Sequence, residues 1–310
     1  DYDDILSQRE KVHIVKNKLL FYCLKIWSLI GKNKYHVIIG GSIFQELNPI
    51  KFIINKPKIL YKNCIFLGCN FGPYKTKRYL NHIKFIVKNS IDTCFRDRYS
   101  FNIFKEYNNV RLAPDILFSL RKIERKNREK KYVGISVINL DNRDDLIKFK
   151  DIYYDKIVDL AEEYVKNNEK ILFFSFCKFE GDESAIENII SRINPKYLSN
   201  IFTCYYRNDN LDDVLKKISE CKSFIACRLH SFILALDYQL PVFPIVYSQK
   251  VKNIMNDINY NGKFLNIENI DELNINEVKK YLDNASNTNI CELEKKSEDH
   301  FSVLDRLLNE

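Results

Sequence analysis

The sequence predicts an α/β protein of two Rossmann-like domains facing a cleft, and three observations predict it. Short apolar runs rich in β-branched and aromatic residues alternate with helical patterns almost throughout, the signature of parallel sheets with crossover helices. The segment Arg121 to Lys131 carries nine charged residues and divides the chain into halves of domain size. Unusual polar residues follow directly on the strands, where open parallel sheets bind their ligands.

In the first half the apolar runs predict strands at Tyr35–Ile39, Cys64–Leu67, Asp92–Phe95 and Val110–Leu112, with helices over Lys77–Val87 and Ser100–Glu106. In the second half, strands are expected at Tyr132–Val137, Ile171–Phe176, Ile201–Cys204, Ser223–Cys227 and Val242–Ile245, with helices between them. The domains expected are 1–122 and 131–310, the latter ending in a polar helical tail from Asn276 that has the composition to pack back across the first half.

Composition bounds the function classes. At 310 residues, with 45% of them hydrophobic and 13% aromatic, the chain has ample material for two cores, and with 8 Gly and 7 Pro it has little for disordered linkers. Nine cysteines, none in a Cys-x-x-Cys pair, and five histidines without zinc spacing predict reduced, mostly buried thiols and no metal. That favours a cytoplasmic protein, free or peripheral at the inner membrane face. No apolar run approaches the 18 or so residues of a bilayer span, and the amphipathic stretch Leu19 to Ile30 is broken by Lys25. The net charge of +8 is spread over Lys-rich helices rather than gathered in a basic-aromatic motif, so no nucleic-acid partner is expected.

The strand ends carry the candidate chemistry. Gly40-Gly41-Ser42 offers glycines where the chain turns sharply, either as a ligand loop or as a plain turn. Gly68-Cys69-Asn70-Phe71-Gly72-Pro73-Tyr74 is a longer turn in which Asn70 contacts a substrate hydroxyl or closes the loop on itself. Arg96-Asp97, with Ser100 expected to cap the next helix, is an anion-binding arrangement or a surface ion pair. Ala113-Pro114-Asp115, Asp182, expected as a helix cap, and Arg207 are lesser candidates. Arg228-Leu229-His230-Ser231 breaks out of an apolar strand into a helix. Ser231 is expected to cap that helix, and an extended Arg228 to His230 would put guanidinium and imidazole on one face, one to clamp an oxyanion and the other to move a proton. The competing reading is an Arg and a His buried in an α/β core. Tyr247 and Ser248 end the last strand.

Taken together and in order, Gly40 to Gln45, Asn70 to Tyr74, Arg96-Asp97 with Ser100, Ala113-Pro114-Asp115, Gly181-Asp182-Glu183, Arg228 to Ser231 and Pro241 to Ile245 resemble the polysaccharide pyruvyl transferase family over about residues 36 to 260. The resemblance implies paired Rossmann-like domains similar to B-type glycosyltransferases. It also implies transfer of pyruvate from phosphoenolpyruvate to two hydroxyls of a sugar as a cyclic ketal, in the synthesis of cell-surface polysaccharide such as capsule or exopolysaccharide. Its site residues map onto His230 as acid/base and onto Arg96, Arg228, Leu229 and Ser231 for the donor; Gly40, Gly41, Ser42, Asn70, Tyr247 and Ser248 remain acceptor or loop candidates. Members usually begin with a strand and an Asn/Gly loop, a unit not found before Tyr35, so the first strand unit is expected to be missing or divergent.

Phosphoenolpyruvate presents a phosphate and a carboxylate at fixed separation, which suits two arginines, and the scheme needs no cofactor. Its partners are that donor and a glycan acceptor, lipid-linked or free. The rival readings are a glycosyltransferase of the same fold using a nucleotide-sugar, and a family member that binds glycan without turnover.

Overall fold

The computed structural model describes residues 35–46, 63–120, 129–207, 209–285 and 288–309. The Leu19–Ile30 stretch, the expected gap before Tyr35 and most of the Arg121–Lys131 divider lie outside them. The chain forms two compact units, and each carries its own parallel sheet with helices, so the α/β class with two Rossmann-like domains holds.

The first unit has a four-stranded sheet, β1 (His36–Ile39), β2 (Cys64–Cys69), β3 (Asp92–Phe95) and β4 (Val110–Leu112), in sequential order and all parallel. Strand β2 is buried along its whole length, as expected for a strand covered on both faces. Helix α1 (Lys77–Asn89) starts where Thr76 accepts from the Tyr79 N–H, and α2 (Arg98–Phe104) starts at Asp97. The Thr76 hydroxyl also donates to Glu46, whose other carboxylate oxygen accepts from the Thr76 amide, so the segment after β1 is pinned to the entrance of α1. Phe44, Phe66, Phe95 and Phe104 fill the core between these elements.

The second unit has six parallel strands. They are β5 (Tyr132–Ser136), β6 (Lys170–Ser175), β7 (Ile201–Tyr205), β8 (Cys221–Ala226), β9 (Val242–Val246) and β10 (Leu265–Asn266), in the order β10-β9-β8-β5-β6-β7. The order reverses between β5 and β8, the switch point at which such sheets open a crevice at their carboxyl edge. Helices α3 (Lys150–Lys166), α4 (Asp182–Arg192), α5 (Leu211–Ser219), α6 (Leu229–Asp237), α7 (Gln249–Asp257) and α8 (Ile275–Asn284) accompany this sheet. Leu236 and the residues from Ser231 to Ala235 on α6 are all buried, and the run Phe232 to Leu236 is accordingly apolar on every side.

The domain boundary expected at 131–310 needs one correction. Residues from Cys291 onward, with α9 (Cys291–Ser297) and α10 (Ser302–Asn309), belong to the first unit and not the second. The reason is a set of specific bonds. Arg111 on β4 grips Asp92 with two parallel N–H···O bonds of 2.7 Å each and also donates to the Asp299 and His300 carbonyls and the Ser302 hydroxyl. Among the described residues no helix is long and apolar enough to cross a membrane.

Candidate functional site

In the first unit the candidates Gly41, Asn70 and Arg96 converge at the carboxyl edge of the sheet. The Arg96 amide is held by the Cys69 carbonyl, which aims the side chain back over the turn after β1. Its guanidinium donates to Asp115 at 2.6 Å and to the Asn70 side-chain oxygen at 3.1 Å. Gly41 is required by this approach: a Cβ there would sit 2.4 Å from the guanidinium carbon. Arg96, Asp115 and Asn70 are 5%, 1% and 4% exposed, so Arg96 is a buried, charge-assisted anchor and not half of a surface ion pair. Ser42 is exposed at the tip of the turn, and Gly40 takes a φ of 148° that favours glycine.

Ser100 does not cap α2. Asp97 does, accepting from the Ser100 amide at 2.8 Å and the Ser100 hydroxyl at 2.9 Å. The hydroxyl is thereby oriented to accept the Phe71 N–H at 2.8 Å, which ties the Asn70 turn to α2. Asp115 caps a short 3-10 turn, Ile116–Ser119, through its other oxygen. His300, from the returning tail, lies 2.7 Å through Nε2 from the Pro114 carbonyl; since a carbonyl only accepts, the imidazole donates. Burial pulls His300 down to about 4, opposed by the Pro114 bond and Asp115 and reinforced by Arg111 and Arg96, so near neutrality the ring is uncharged.

In the second unit Arg228 ends β8 in an extended conformation (φ −106°, ψ 141°) and is itself the N-cap of α6. The expected extension to His230 does not occur, because the helix begins at Leu229. Arg228 is 7% exposed and turned inward, whereas His230 is exposed on the first turn of α6, so the two side chains do not share a face. The reading of His230 as a core histidine is excluded by the same exposure. Ser231 stands in the third helical position, not at the cap; it donates back to the Arg228 carbonyl at 2.7 Å and lies 2.6 Å from the Ser136 hydroxyl. Ser136 in turn accepts the Cys227 N–H at 2.9 Å, so two hydroxyls stitch β5 to the β8–α6 corner at the switch point. Leu229 is half-buried.

The Arg228 guanidinium is committed to carboxylates. Nε donates to Asp182 at 3.1 Å, one terminal nitrogen bonds the second Asp182 oxygen, and the other bonds Glu180. Asp182, wholly buried, also accepts from the Phe176 and Cys177 amides at 3.1 and 2.9 Å, so it tethers the strand exit before α4 and does not cap that helix. Burial pushes its carboxyl up, against the pull of Arg228 and those amides. For Arg228, burial acts to lower the pKa, but Tyr247, Asp182 and Glu180 outweigh it and the guanidinium stays charged. Arg143, from the loop after β5, adds a second cation on Glu180 at 2.7 Å and lies 4.6 Å from the centre of the Tyr247 ring. Ser248 begins α7 without a side-chain cap bond. Arg207 pairs with Glu183.

Sequence reasoning missed Arg143, Glu180 and His300 altogether. Glu180 adjoins the quoted Gly181-Asp182-Glu183 motif and was within reach of a motif reading, but a lone Arg in a loop and a His in a polar tail send no such signal. Among the described residues no cluster of His, Cys, Asp and Glu is arranged to hold a metal ion.

Comparison with solved structures finds the same fold at low identity. The UDP-GlcNAc 2-epimerase of Methanocaldococcus jannaschii, in complex with UDP-GlcNAc and UDP, matches with a TM-score of 0.56 and 12% identity over 93% of this chain and 80% of that one. Anabaena HepE, in complex with UDP and glucose, matches with a TM-score of 0.50 and 10% identity over 100% of this chain and 87% of that one. TarM matches at 0.49 and 16% identity, over 93% of this chain but only 58% of TarM, so the chain spans less than two thirds of that protein's length. The first two likenesses identify the fold, which is similar to that of B-type glycosyltransferases. No curated protein sequence matches the chain. The family model for polysaccharide pyruvyl transferase, however, matches residues 1–249, and with the motifs at the carboxyl edges of both sheets it settles the family: this chain belongs to the polysaccharide pyruvyl transferases, a family of transferases.

Proposed function

We propose that the protein transfers pyruvate from phosphoenolpyruvate to two hydroxyls of a glycan, forming a cyclic ketal, in the synthesis of a cell-surface polysaccharide. The observation that carries the reading is the Arg96 anchor, a buried guanidinium held by Asn70 and Asp115 over the Gly41 turn, in a chain of this family. Preorganised positive charge suits an anionic donor because no reorganisation is needed when phosphate departs. In the proposed step a proton is delivered to the methylene carbon, one sugar hydroxyl adds to the resulting oxocarbenium-like centre, and phosphate leaves as the second hydroxyl closes the ring. His230, exposed on the first turn of α6, is the proposed acid/base. Arg228 is the proposed second donor contact, in which role it must exchange the Glu180 carboxylate for the ligand's. The protein needs no cofactor in this scheme and works at the cytoplasmic side.

A nucleotide-sugar transferase is the second reading, favoured by the two structural matches crystallised with UDP. A thermal-shift series separates them: phosphoenolpyruvate should raise the melting temperature by mass action and UDP-sugars should not. His230→Gln should leave that shift in place and lower phosphate release with a glycan-acceptor panel by about 100-fold. Stabilisation by UDP-sugars alone would replace the proposal with the second reading.

A further inference from the structure

We infer that His300 is a positioning residue for Arg96, so that the donor site of the first unit is completed by the end of the chain; the inference rests on the reading of Arg96 as a donor contact. The mechanics run through one short loop. Pro114 and Asp115 follow β4, and Asp115 is shared between the Leu117 amide of its own turn at 3.0 Å and the Arg96 guanidinium at 2.6 Å. A shift of the Pro114 carbonyl therefore moves the carboxylate that aims Arg96. That carbonyl is fixed by the His300 imidazole at 2.7 Å, and Arg111 fixes His300 in turn through its carbonyl at 3.1 Å. His300 is 0% exposed, and its Nδ1 is buried without a hydrogen-bond partner. A buried polar ring atom left unsatisfied costs stability, so a purely structural site would be better filled by an apolar ring. The bond to Pro114 is the part of the imidazole that only a donor at this distance replaces.

Residue 300 lies beyond the segment matched by the family model, residues 1–249, so this contribution belongs to a part of the chain the family pattern does not reach. Its effect should be on affinity and on Arg96 itself, not on overall folding alone.

The test uses the full chain with His300→Phe, which keeps an aromatic ring but has no donor, and His300→Gln, whose amide can still donate to Pro114. The Arg96 Nε–H resonance, assigned by its loss in Arg96→Lys, reports the guanidinium without any ligand; calorimetry with phosphoenolpyruvate reports the site. In His300→Phe the Arg96 resonance should move and exchange faster with water, and donor affinity should fall about 10-fold, with His300→Gln restoring both to within about 3-fold. Combining His300→Phe with Asp115→Asn should add little to the larger single loss, as for residues acting through one another. An unmoved Arg96 resonance with full affinity in folded His300→Phe overturns the inference, as does a His300→Gln variant that behaves like His300→Phe. If His300→Phe does not fold, His300→Asn, whose shorter amide falls short of Pro114, takes its place under the same two outcomes. Should the wild type ignore phosphoenolpyruvate, the donor reading fails while the Arg96 resonance still decides the positioning role.

Discussion

Both units place an arginine just past a buried strand and bury it, yet the two arginines are built differently. Arg96 donates to the Asp115 carboxylate and to the Asn70 side-chain oxygen, and lies against the backbone of Gly41. Arg228 faces two carboxylates, Asp182 and Glu180, and the second of these is shared with Arg143. The difference is one of charge accounting. In the first unit the carboxylate on the arginine, Asp115, is buried, whereas in the second one of the two, Glu180, is half exposed. The same sequence signal, a strand running into an arginine, thus yields one arginine paired with a buried carboxylate and one that is also paired with an exposed one.

The comparison breaks most visibly if each arginine is removed. Arg228→Met leaves wholly buried Asp182 without its counter-charge and should cost about 3–5 kcal/mol in urea denaturation, while Arg96→Met, which takes the guanidinium from buried Asp115 but from no half-exposed Glu180, should cost less by about 1 kcal/mol. Equal costs would mean that Glu180 contributes nothing to holding Arg228.

Acid should distinguish the units next. His300, which belongs to the first, has a folded pKa of about 4 against an ordinary 6.5, so its neutral form is the one the fold prefers. Above pH 6.5 it contributes nothing to the pH dependence. As pH falls from 6.5 towards 4 the unfolded chain takes up a proton that the folded chain refuses, and stability drops by about 3 kcal/mol in total. The loss should vanish between pH 6.5 and 4 in His300→Phe, measured as the difference between the two proteins' denaturation midpoints so that carboxylate effects cancel. A difference that stays flat across that window would mean the ring is not buried neutral.

The smallest effect sharpens the comparison. Glu180→Gln removes a carboxylate from Arg228 and leaves the Asp182 bonds intact, so phosphoenolpyruvate affinity should rise several-fold if Arg228 contacts the donor. No change by calorimetry would assign Arg228 to the fold alone.

How much of this was legible in the sequence follows from the range of the forces involved. The strands were read almost to the residue, Asp92–Phe95 and Val110–Leu112 without error, because short runs containing β-branched or aromatic residues between helical or turn segments are a local signal. The two-residue strand Leu265–Asn266 was missed, since two residues make no pattern. The two arginines stand just past strands, so their positions were legible for the same local reason. Their partners were not: Asp115 lies 19 residues from Arg96, Asp182 46 from Arg228, and His300 186 from Pro114, separations at which nothing local pairs them. The cap assignments at Ser100 and Ser231 failed by competition. Asp97 stands three residues ahead of Ser100 and caps first, and Arg228 is already extended, so α6 starts at Leu229 and carries Ser231 into its first turn.

The return of the tail to β4 bears on the order in which the molecule is made. A ribosome delivers residues 35–120 well before Asp299 and His300, whose bonds to Arg111 and Pro114 close loops of 188, 189 and 186 residues. The whole of the second unit is synthesised inside those loops, and its described residues, 129–290 with two gaps, all precede the tail. Domains fold as units during synthesis, usually the N-terminal one first. The long loops predict the usual order inverted for the last step. Nascent chains halted near residue 290 should resist protease over the later unit while the earlier one remains cleavable around Pro114, and the earlier unit should become resistant only when the final helices are released.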